Sequence, residues 1–290
     1  MRLLSRIADT RRALDKERES GRTVGFVPTM GYLHEGHASL IRHARAKNDV
    51  VAVSIFVNPL QFGAHEDLAA YPRDLDRDLA LCEEAGTDIV FNPDVSEMYP
   101  EPNPYTVQVG EIGTKLCGRS RPGHFDGVAT VVAKLFNIAG PCRAYFGKKD
   151  AQQVVVIEQL VRALNFPITV VGCDIVREAD GLAMSSRNVY LDDDGRRAVL
   201  VLKRTLDEAV DAIAGGERDA RRIGEQMGAR ISSEPLARLD YAAVVDPETL
   251  DDLVEVTGTA LLAVAAWVGK ARLIDNTTVT PAGASSEGSR

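Results

Sequence analysis

Cysteine is scarce and scattered. Only four occur, Cys82, Cys117, Cys142 and Cys173, and no C-x-x-C pair is among them. That speaks against a disulfide framework or a zinc site and favours buried thiols in a reducing compartment. Long apolar runs are missing too: the longest, residues 260–268, is far too short to cross a bilayer. The opening Met1-Arg2-Leu3-Leu4-Ser5-Arg6 lacks the apolar stretch of a signal peptide, so a cytoplasmic location and no membrane partner are expected. Nor is there a surplus of positive charge. The 34 Lys and Arg against 42 Asp and Glu leave a net −8, the wrong sign for a nucleic-acid footprint. Two nucleotide signatures are absent as well, G-x-G-x-x-G and G-x-x-x-x-G-K-[ST], which removes the dinucleotide fingerprint and the P-loop.

What remains is ordinary soluble-enzyme composition, 45% hydrophobic and 26% charged, over 290 residues, a length that favours two domains. The first part alternates nearly continuous apolar strands with helices. Strands are predicted at 24–28, 50–57, 88–91, 143–147 and 168–171, and helices at 39–47, 74–85, 127–139 and 151–164, with a charged helix earlier around 11–19. This is the pattern of a parallel sheet covered on both faces, whose ligands gather beyond the carboxyl ends of the strands. After about residue 175 the character changes. Two charged amphipathic helices at 194–214 and 219–232 precede strands at 239–245, 260–268 and 271–274, with Gly269-Lys270 as a two-residue hairpin turn. The expected fold is therefore α/β: a Rossmann-like parallel-sheet domain over 1–175, then a smaller α+β domain with an antiparallel sheet over 176–280. A Ser/Gly-rich tail at 281–290 is expected to be disordered.

The chemistry gathers where strands end. His34-Glu35-Gly36-His37 follows the first strand and opens a helix, where unpaired N–H groups, the helix dipole and two imidazoles can converge on a phosphate. Standing alone, H-x-x-H is as readily a pair of capping or surface histidines. A zinc site would need further ligands, and His43, His65 and His124 stand in no ligand spacing. Asn58-Pro59-Leu60-Gln61-Phe62 after the second strand offers amides and an apolar wall to a hydroxylated acid, or is simply an Asn-Pro turn. Gly147-Lys148-Lys149-Asp150-Ala151-Gln152-Gln153 sets a lysine at a strand end beside a helix start, suited to phosphate, with Asp150 able to cap that helix or hold ribose hydroxyls. Asp74, Asp76 and Asp78 are either a helix start or a source of one magnesium ligand. The polar loop from Arg177 to Asn188, with Gly181 and Met184-Ser185-Ser186-Arg187 in it, reads as a charged hinge or as a mobile lid over phosphates.

In order along the chain stand Pro-Thr-Met-Gly-x-Leu-His-x-Gly-His, Phe-Val-Asn-Pro-x-Gln-Phe, Gly-x-Lys-Asp-x-Gln-Gln and Arg-Glu-x-Asp-Gly-Leu-Ala-Met-Ser-Ser-Arg-Asn. Together they resemble the pantoate–β-alanine ligase (pantothenate synthetase) family, from about residue 20 to Asn276. That family is grouped with the nucleotidylyltransferases whose HxGH and KMSKS-like signatures bind ATP. The resemblance implies ATP-dependent condensation of (R)-pantoate with β-alanine through a pantoyl-adenylate, with Mg²⁺, releasing AMP and pyrophosphate, in a homodimer. It also implies roles for residues. Met30, His34, His37, Lys149, Ser185, Ser186 and Arg187 would hold ATP and its phosphates, Gly147 and Asp150 the nucleoside. Gln61 and Gln153 would hold pantoate, with Asn58 nearby, and Asp78 is the position matched to the metal. Lys148 departs from the family's pattern and places a second lysine beside Lys149. Two other classes stay open: a nucleotidylyltransferase with a phosphorylated acceptor, against which the amides of Asn58 and Gln61 speak, and a non-catalytic nucleotide-binding regulator, which turnover would exclude.

Overall fold

A computed structural model describes residues 1–63, 66–100 and 105–282. His65 and all but two residues of the expected 281–290 tail lie outside the described residues. Two compact units emerge. The first is Met1–Thr114, Arg121–Lys148 and Val156–Val176; the second is Lys115–Ser120, Lys149–Val155 and Arg177–Arg290. Two short segments ahead of residue 175 thus belong with the second unit.

In chain order the elements are β1 (Arg2–Leu4), α1 (Ile7–Glu19), β2 (Val24–Thr29), α2 (Glu35–Lys47), β3 (Val50–Ile55), α3 (Leu75–Glu84), β4 (Ile89–Phe91), α4 (Val95–Met98), α5 (Cys117–Ser120), α6 (His124–Ala139), β5 (Cys142–Gly147), α7 (Ala151–Ala163) and β6 (Ile168–Cys173). The six strands form one parallel sheet ordered β1-β4-β3-β2-β5-β6. Strand β3 is buried along its whole length and β2 nearly so, which is why both read as apolar without alternation. α2 turns Ala38, Leu40, Ile41 and Ala44 inward, while α6 is buried almost all round. From β2 the chain steps outward through β3 to β4; from β5 it steps the other way to β6. The order reverses between β2 and β5, and a parallel sheet opens its ligand crevice at such a reversal.

One strand went unforeseen. β1 pairs with β4 alone, Arg2 to Ile89 through Leu4 to Phe91, and its residues are largely exposed. Three polar-flanked residues on a sheet edge leave no periodic trace. The cysteines follow expectation: all four are free thiols, and Cys82, Cys117 and Cys173 are buried. Burial pushes the Cys82 thiol up to about 12, away from reactivity.

The second unit holds α8 (Asp193–Val199), α9 (Val201–Ala214), α10 (Ala220–Ser232), β7 (Ala237–Val245), β8 (Ala260–Val268) and β9 (Ala271–Val279). The strands form an antiparallel sheet ordered β7-β8-β9. Leu202, Leu206, Ile213, Ile223, Met227 and Ile231 from the helices bury against Leu262, Val264 and Val268 of the central strand. The β8–β9 turn has two residues, closed by Val268 opposite Ala271. Gly269 takes φ +56° there, a backbone that L side chains rarely adopt. Two boundaries differ from the sequence pattern. The helix expected over 194–214 breaks at Leu200 into α8 and α9. β9 runs on to Val279, because pairing with β8 carries the polar Asp275 and Asn276 into the sheet despite their poor strand propensity.

Candidate active site

At the end of β2 the backbone is forced into an uncommon path. Gly31 has φ +82° and Tyr32 φ +49°. A Cβ on Gly31 would lie 3.0 Å from both Asp78 Oδ2 and Ile55 Cγ2. Buried Asp78 explains the path: its Oδ2 accepts the Tyr32 N–H at 2.7 Å and its Oδ1 the Leu33 N–H at 2.6 Å. Burial pushes the Asp78 carboxyl up, against the two amides that favour its charge. Two helical elements thereby converge, α3 gripping the turn that leads into α2.

That turn delivers His34 as the N-cap of α2. His34 Nδ1 accepts from the Gly36 N–H at 3.1 Å, and His37 Nδ1 accepts from the His34 N–H at 3.3 Å, a reciprocal capping pair. The ring centroids are 4.1 Å apart. A backbone N–H can only donate, so each Nδ1 must be the unprotonated nitrogen, and each neutral ring carries its proton on Nε2. The histidines are caps, as the plain reading had it. The same bonds also turn them into two oriented N–H donors at a helix N-terminus, beside the reversal of strand order.

Other members of the first unit lie at neighbouring strand ends. Met30, Gly31, Asp74 and Asp78 line a cavity of about 320 Å³, walled by Ile55, Phe56 and Asn92 from the ends of β3 and β4. Gly147 closes β5, and the position its Cβ would take is open space. Gln61 Nε2 lies 2.9 Å from Met30 Sδ, which joins two predicted site residues. Asn58 is 1% exposed and saturated. Its Oδ1 accepts from the Leu60 N–H at 3.3 Å and the Tyr99 hydroxyl at 2.9 Å; its Nδ2 donates to Gln61 Oε1 and the Gly127 carbonyl, both at 3.1 Å. Phe62, expected as an apolar wall, sets its ring edge-on to Tyr71, 5.8 Å between centroids.

This scaffold also enlists residues the motifs do not mark. Arg121 donates to the Gln61 carbonyl at 3.3 Å, and His124 Nδ1 lies 2.8 Å from the same oxygen. Gly127 lets α6 approach so closely that a Cβ would sit 2.2 Å from the Leu60 carbonyl oxygen. A glycine inside a very apolar helix was the available signal for that contact. Tyr99 left none.

The remaining candidates belong to the second unit. Lys149 and Asp150 sit in a turn of 3₁₀ helix before α7, 3.9 Å apart, and Asn276 Nδ2 donates to the Lys149 carbonyl at 2.8 Å. Gln152 is structural: its Oε1 accepts from the Cys117 N–H and its Nε2 donates to the Lys115 carbonyl. Gln153 is half-buried on the first turn of α7. Ser185 caps the 3₁₀ turn Ser186–Tyr190 by accepting the Arg187 N–H at 3.2 Å, and Ser186 is buried. The loop that carries them is heavily braced. Arg177 pairs with Asp275, Asn188 donates to Glu178 and to the Ala183 carbonyl, and Arg196 grips both Glu178 and Asp180.

Comparison with known proteins meets this geometry. A family model described as pantoate-beta-alanine ligase matches residues 2–278. The chain belongs to the pantoate-beta-alanine ligase family. Among its relatives, the pantothenate synthetase of Thermoanaerobacter sp. (strain X514) is 53% identical over 276 residues, 95% of this chain and 98% of that one. The pantothenate synthetase of Clostridium botulinum (strain Langeland / NCTC 10281 / Type F) is 49% identical over 96% of this chain and 99% of its own. A solved pantothenate synthetase from Thermus thermophilus superposes with a TM-score of 0.92 at 49% identity, covering 97% of this chain and 100% of that one. A pantoate-beta-alanine ligase from Francisella tularensis, solved as a complex with beta-gamma ATP and beta-alanine, gives a TM-score of 0.78 at 33% identity, covering 96% and 97%. The parallel sheet and the antiparallel one, expected from the sequence, are thus the family's fold.

Proposed function

We propose that the protein joins (R)-pantoate to β-alanine in two steps at the expense of ATP. A carboxylate is a poor acyl donor because its oxygen leaves badly. The pantoate carboxylate attacks the α-phosphate in line and pyrophosphate departs; the β-alanine amine then attacks the pantoyl carbonyl and AMP departs, giving pantothenate. The chemistry asks the protein for positioning and charge neutralisation, not for a nucleophile. The observation that carries this reading is the reciprocal capping of His34 and His37, which points two Nε2–H donors from one helix start. The Francisella ligase's complex with beta-gamma ATP and beta-alanine supports ATP and β-alanine as substrates of this chain.

In this reading Met30, His34, His37, Lys149, Ser185, Ser186 and Arg187 hold ATP and its phosphates, and Gly147 and Asp150 the nucleoside. Gln61 and Gln153 hold pantoate. Asn58, whose own hydrogen bonds are spent within the fold, supports Gln61 from behind. Magnesium enters as part of the nucleotide substrate and offsets phosphate charge; such an ion takes few protein ligands. No group of three His, Cys, Asp or Glu forms a metal cage among the described residues, and Asp78, lining the cavity beside Met30, is the single carboxylate we assign to the ion. Each Asp78 oxygen keeps a second lone pair beyond the amide it accepts. A cytoplasmic homodimer is part of the same proposal, the dimer checked by light scattering.

Pyrophosphate exchange tests the order of chemistry. Radiolabelled pyrophosphate enters ATP when enzyme, Mg²⁺ and pantoate are present and β-alanine is absent. Exchange that needs the amine, or ADP as product, overturns the adenylate route.

A further inference from the structure

Resting on the reading that Gln61 touches the acid substrate, we propose that Tyr99 is a positioning residue: it joins the backbone in fixing the orientation of Asn58, and through Asn58 reinforces the one in which Gln61 presents its N–H₂, and not its carbonyl, to an acceptor oxygen of the acid.

The argument begins from groups whose polarity cannot change. A side-chain amide is nearly symmetric in shape, so what surrounds it must decide which end is oxygen. Around Asn58 the decision is made by backbone. The Leu60 N–H can only donate and lies 3.3 Å from one end; the Gly127 carbonyl can only accept and lies 3.1 Å from the other. The Tyr99 hydroxyl adds a donor at 2.9 Å to the Leu60 side. Burial pushes the Tyr99 phenol well up, so it keeps the proton it donates. Asn58 Oδ1 therefore faces Leu60 and Tyr99, and Asn58 Nδ2 faces Gly127.

The same Nδ2 reaches Gln61 at 3.1 Å, and only an acceptor can meet it, so Gln61 Oε1 is turned inward. Gln61 Nε2 is left on the other side, 2.9 Å from Met30 Sδ. A thioether is a weak acceptor, and a carboxylate or hydroxyl oxygen in its place makes a stronger bond. The polarity of the pocket wall is thus relayed over two amides from backbone atoms that no rotation can invert. Tyr99 is the one side chain in the relay that lies far from the Asn58–Phe62 segment in sequence, and its ring is held 6.1 Å from Phe56 and under Lys134.

Two variants separate this from mere packing. Tyr99→Phe keeps the ring and removes the donor. Asn58→Asp keeps the shape but replaces the Nδ2 donor by an acceptor, so that Gln61 must reverse and offer its carbonyl to the substrate. Pantoate binding is measured by calorimetry on the full-length protein, with ATP affinity and thermal melting recorded beside it. The expected result is a loss of pantoate affinity of about 10–100-fold for Asn58→Asp and a smaller loss for Tyr99→Phe, with ATP affinity unchanged in both. Asn58→Asp is also expected to shrink the preference of the wild-type protein for pantoate over its carboxamide, because a carboxamide supplies the donor that a reversed Gln61 needs. Gln61→Ala serves as the reference. If Gln61→Ala binds pantoate as the wild type does, the acid-pocket reading falls, and this inference with it. If Gln61→Ala loses pantoate while Tyr99→Phe and Asn58→Asp bind it normally, the positioning inference alone is overturned. A parallel loss of pantoate and ATP affinity, with lowered melting, overturns it also.

Discussion

Arg177 meets Asp275 in a two-point ion pair, Nη1 to Oδ2 at 2.7 Å and Nη2 to Oδ1 at 2.9 Å, and Asp275 is only 4% exposed. The pair ties the start of the loop bearing Ser185, Ser186 and Arg187 to strand β9. Arg177 also donates to the Gly181 carbonyl, where the chain turns through φ +94°. Removing the guanidinium leaves a buried carboxylate that still accepts the Asn276 N–H at 2.8 Å but has lost its counter-charge. Arg177→Met should therefore lower the stability of the second unit by about 3 kcal/mol, the penalty of an uncompensated buried charge. Urea unfolding followed by Trp267 fluorescence measures this. A change below about 0.5 kcal/mol would mean that the pair does not brace the loop.

Gly127→Ala tests the close approach of α6 to the segment that holds Asn58 and Gln61. The new methyl would stand 2.2 Å from the Leu60 oxygen, 2.5 Å from the Leu60 carbonyl carbon and 2.7 Å from Gln61 Cα, all backbone atoms. No rotamer relieves such a clash, so helix and loop must separate. The expected cost is about 1–3 kcal/mol, as for overpacked cores. Because the Asn58 bond to the Gly127 carbonyl is stretched at the same time, pantoate affinity should fall further than ATP affinity. Equal losses would show the damage to be general.

Much of this architecture was legible because its signals are local. Val24–Thr29 and Val50–Ile55 are apolar without alternation, so buried parallel strands follow directly. The hairpin at Gly269 needed only a two-residue turn between apolar runs. The candidate residues at strand ends were likewise visible as motifs. What stayed hidden depends on long-range partners. The grip of Asp78 on Tyr32 and Leu33 joins residues 45 or more positions apart, and Tyr99 reaches Asn58 across 41. Asp275 and Asn276 read as the end of a strand; Arg177 and the Lys149 carbonyl are what let them continue it. The plain reading of His34 and His37 as caps was also sound in part, since the capping bonds themselves set which ring nitrogen carries the proton.

The acid side of the pH range should loosen the Ser185–Arg187 loop. Arg196 donates to Glu178 and holds its carboxyl below the usual range, despite partial burial. Asp180 is held low chiefly by the Leu182 N–H, and further by Arg196. A depressed folded-state value means that the unfolded chain binds more protons, so stability rises with pH across the window. The contribution is present above the ordinary carboxylate range and lost as pH falls through it, from about pH 5 to pH 3. Arg196→Met removes the main cause at Glu178, so its melting temperature should fall less steeply with acid than the wild type's. Parallel slopes for the two proteins would refute the coupling.

The phosphate clamp makes the sharpest demand. Each Nε2–H donor that meets charge growing in the transition state should contribute about 10²–10³ in rate, so His37→Ala should slow pantoate-dependent pyrophosphate exchange by that much. Its loss also strips the His34 N–H of its acceptor, which frees the turn that Asp78 holds from the other side. Lys149→Ala should fall in the same range. The neighbouring Lys148 offers no rescue in this geometry: its ammonium donates to Asp174 at 2.8 Å, and its stem lies across Gly172 of β6. That ion pair is exposed and contributes little to stability, so Lys148→Ala should leave both melting and exchange within about twofold of wild type. The contrast between adjacent lysines is the decisive reading. If Lys148→Ala is the damaging change and Lys149→Ala the silent one, the phosphate assignment belongs to the wrong lysine.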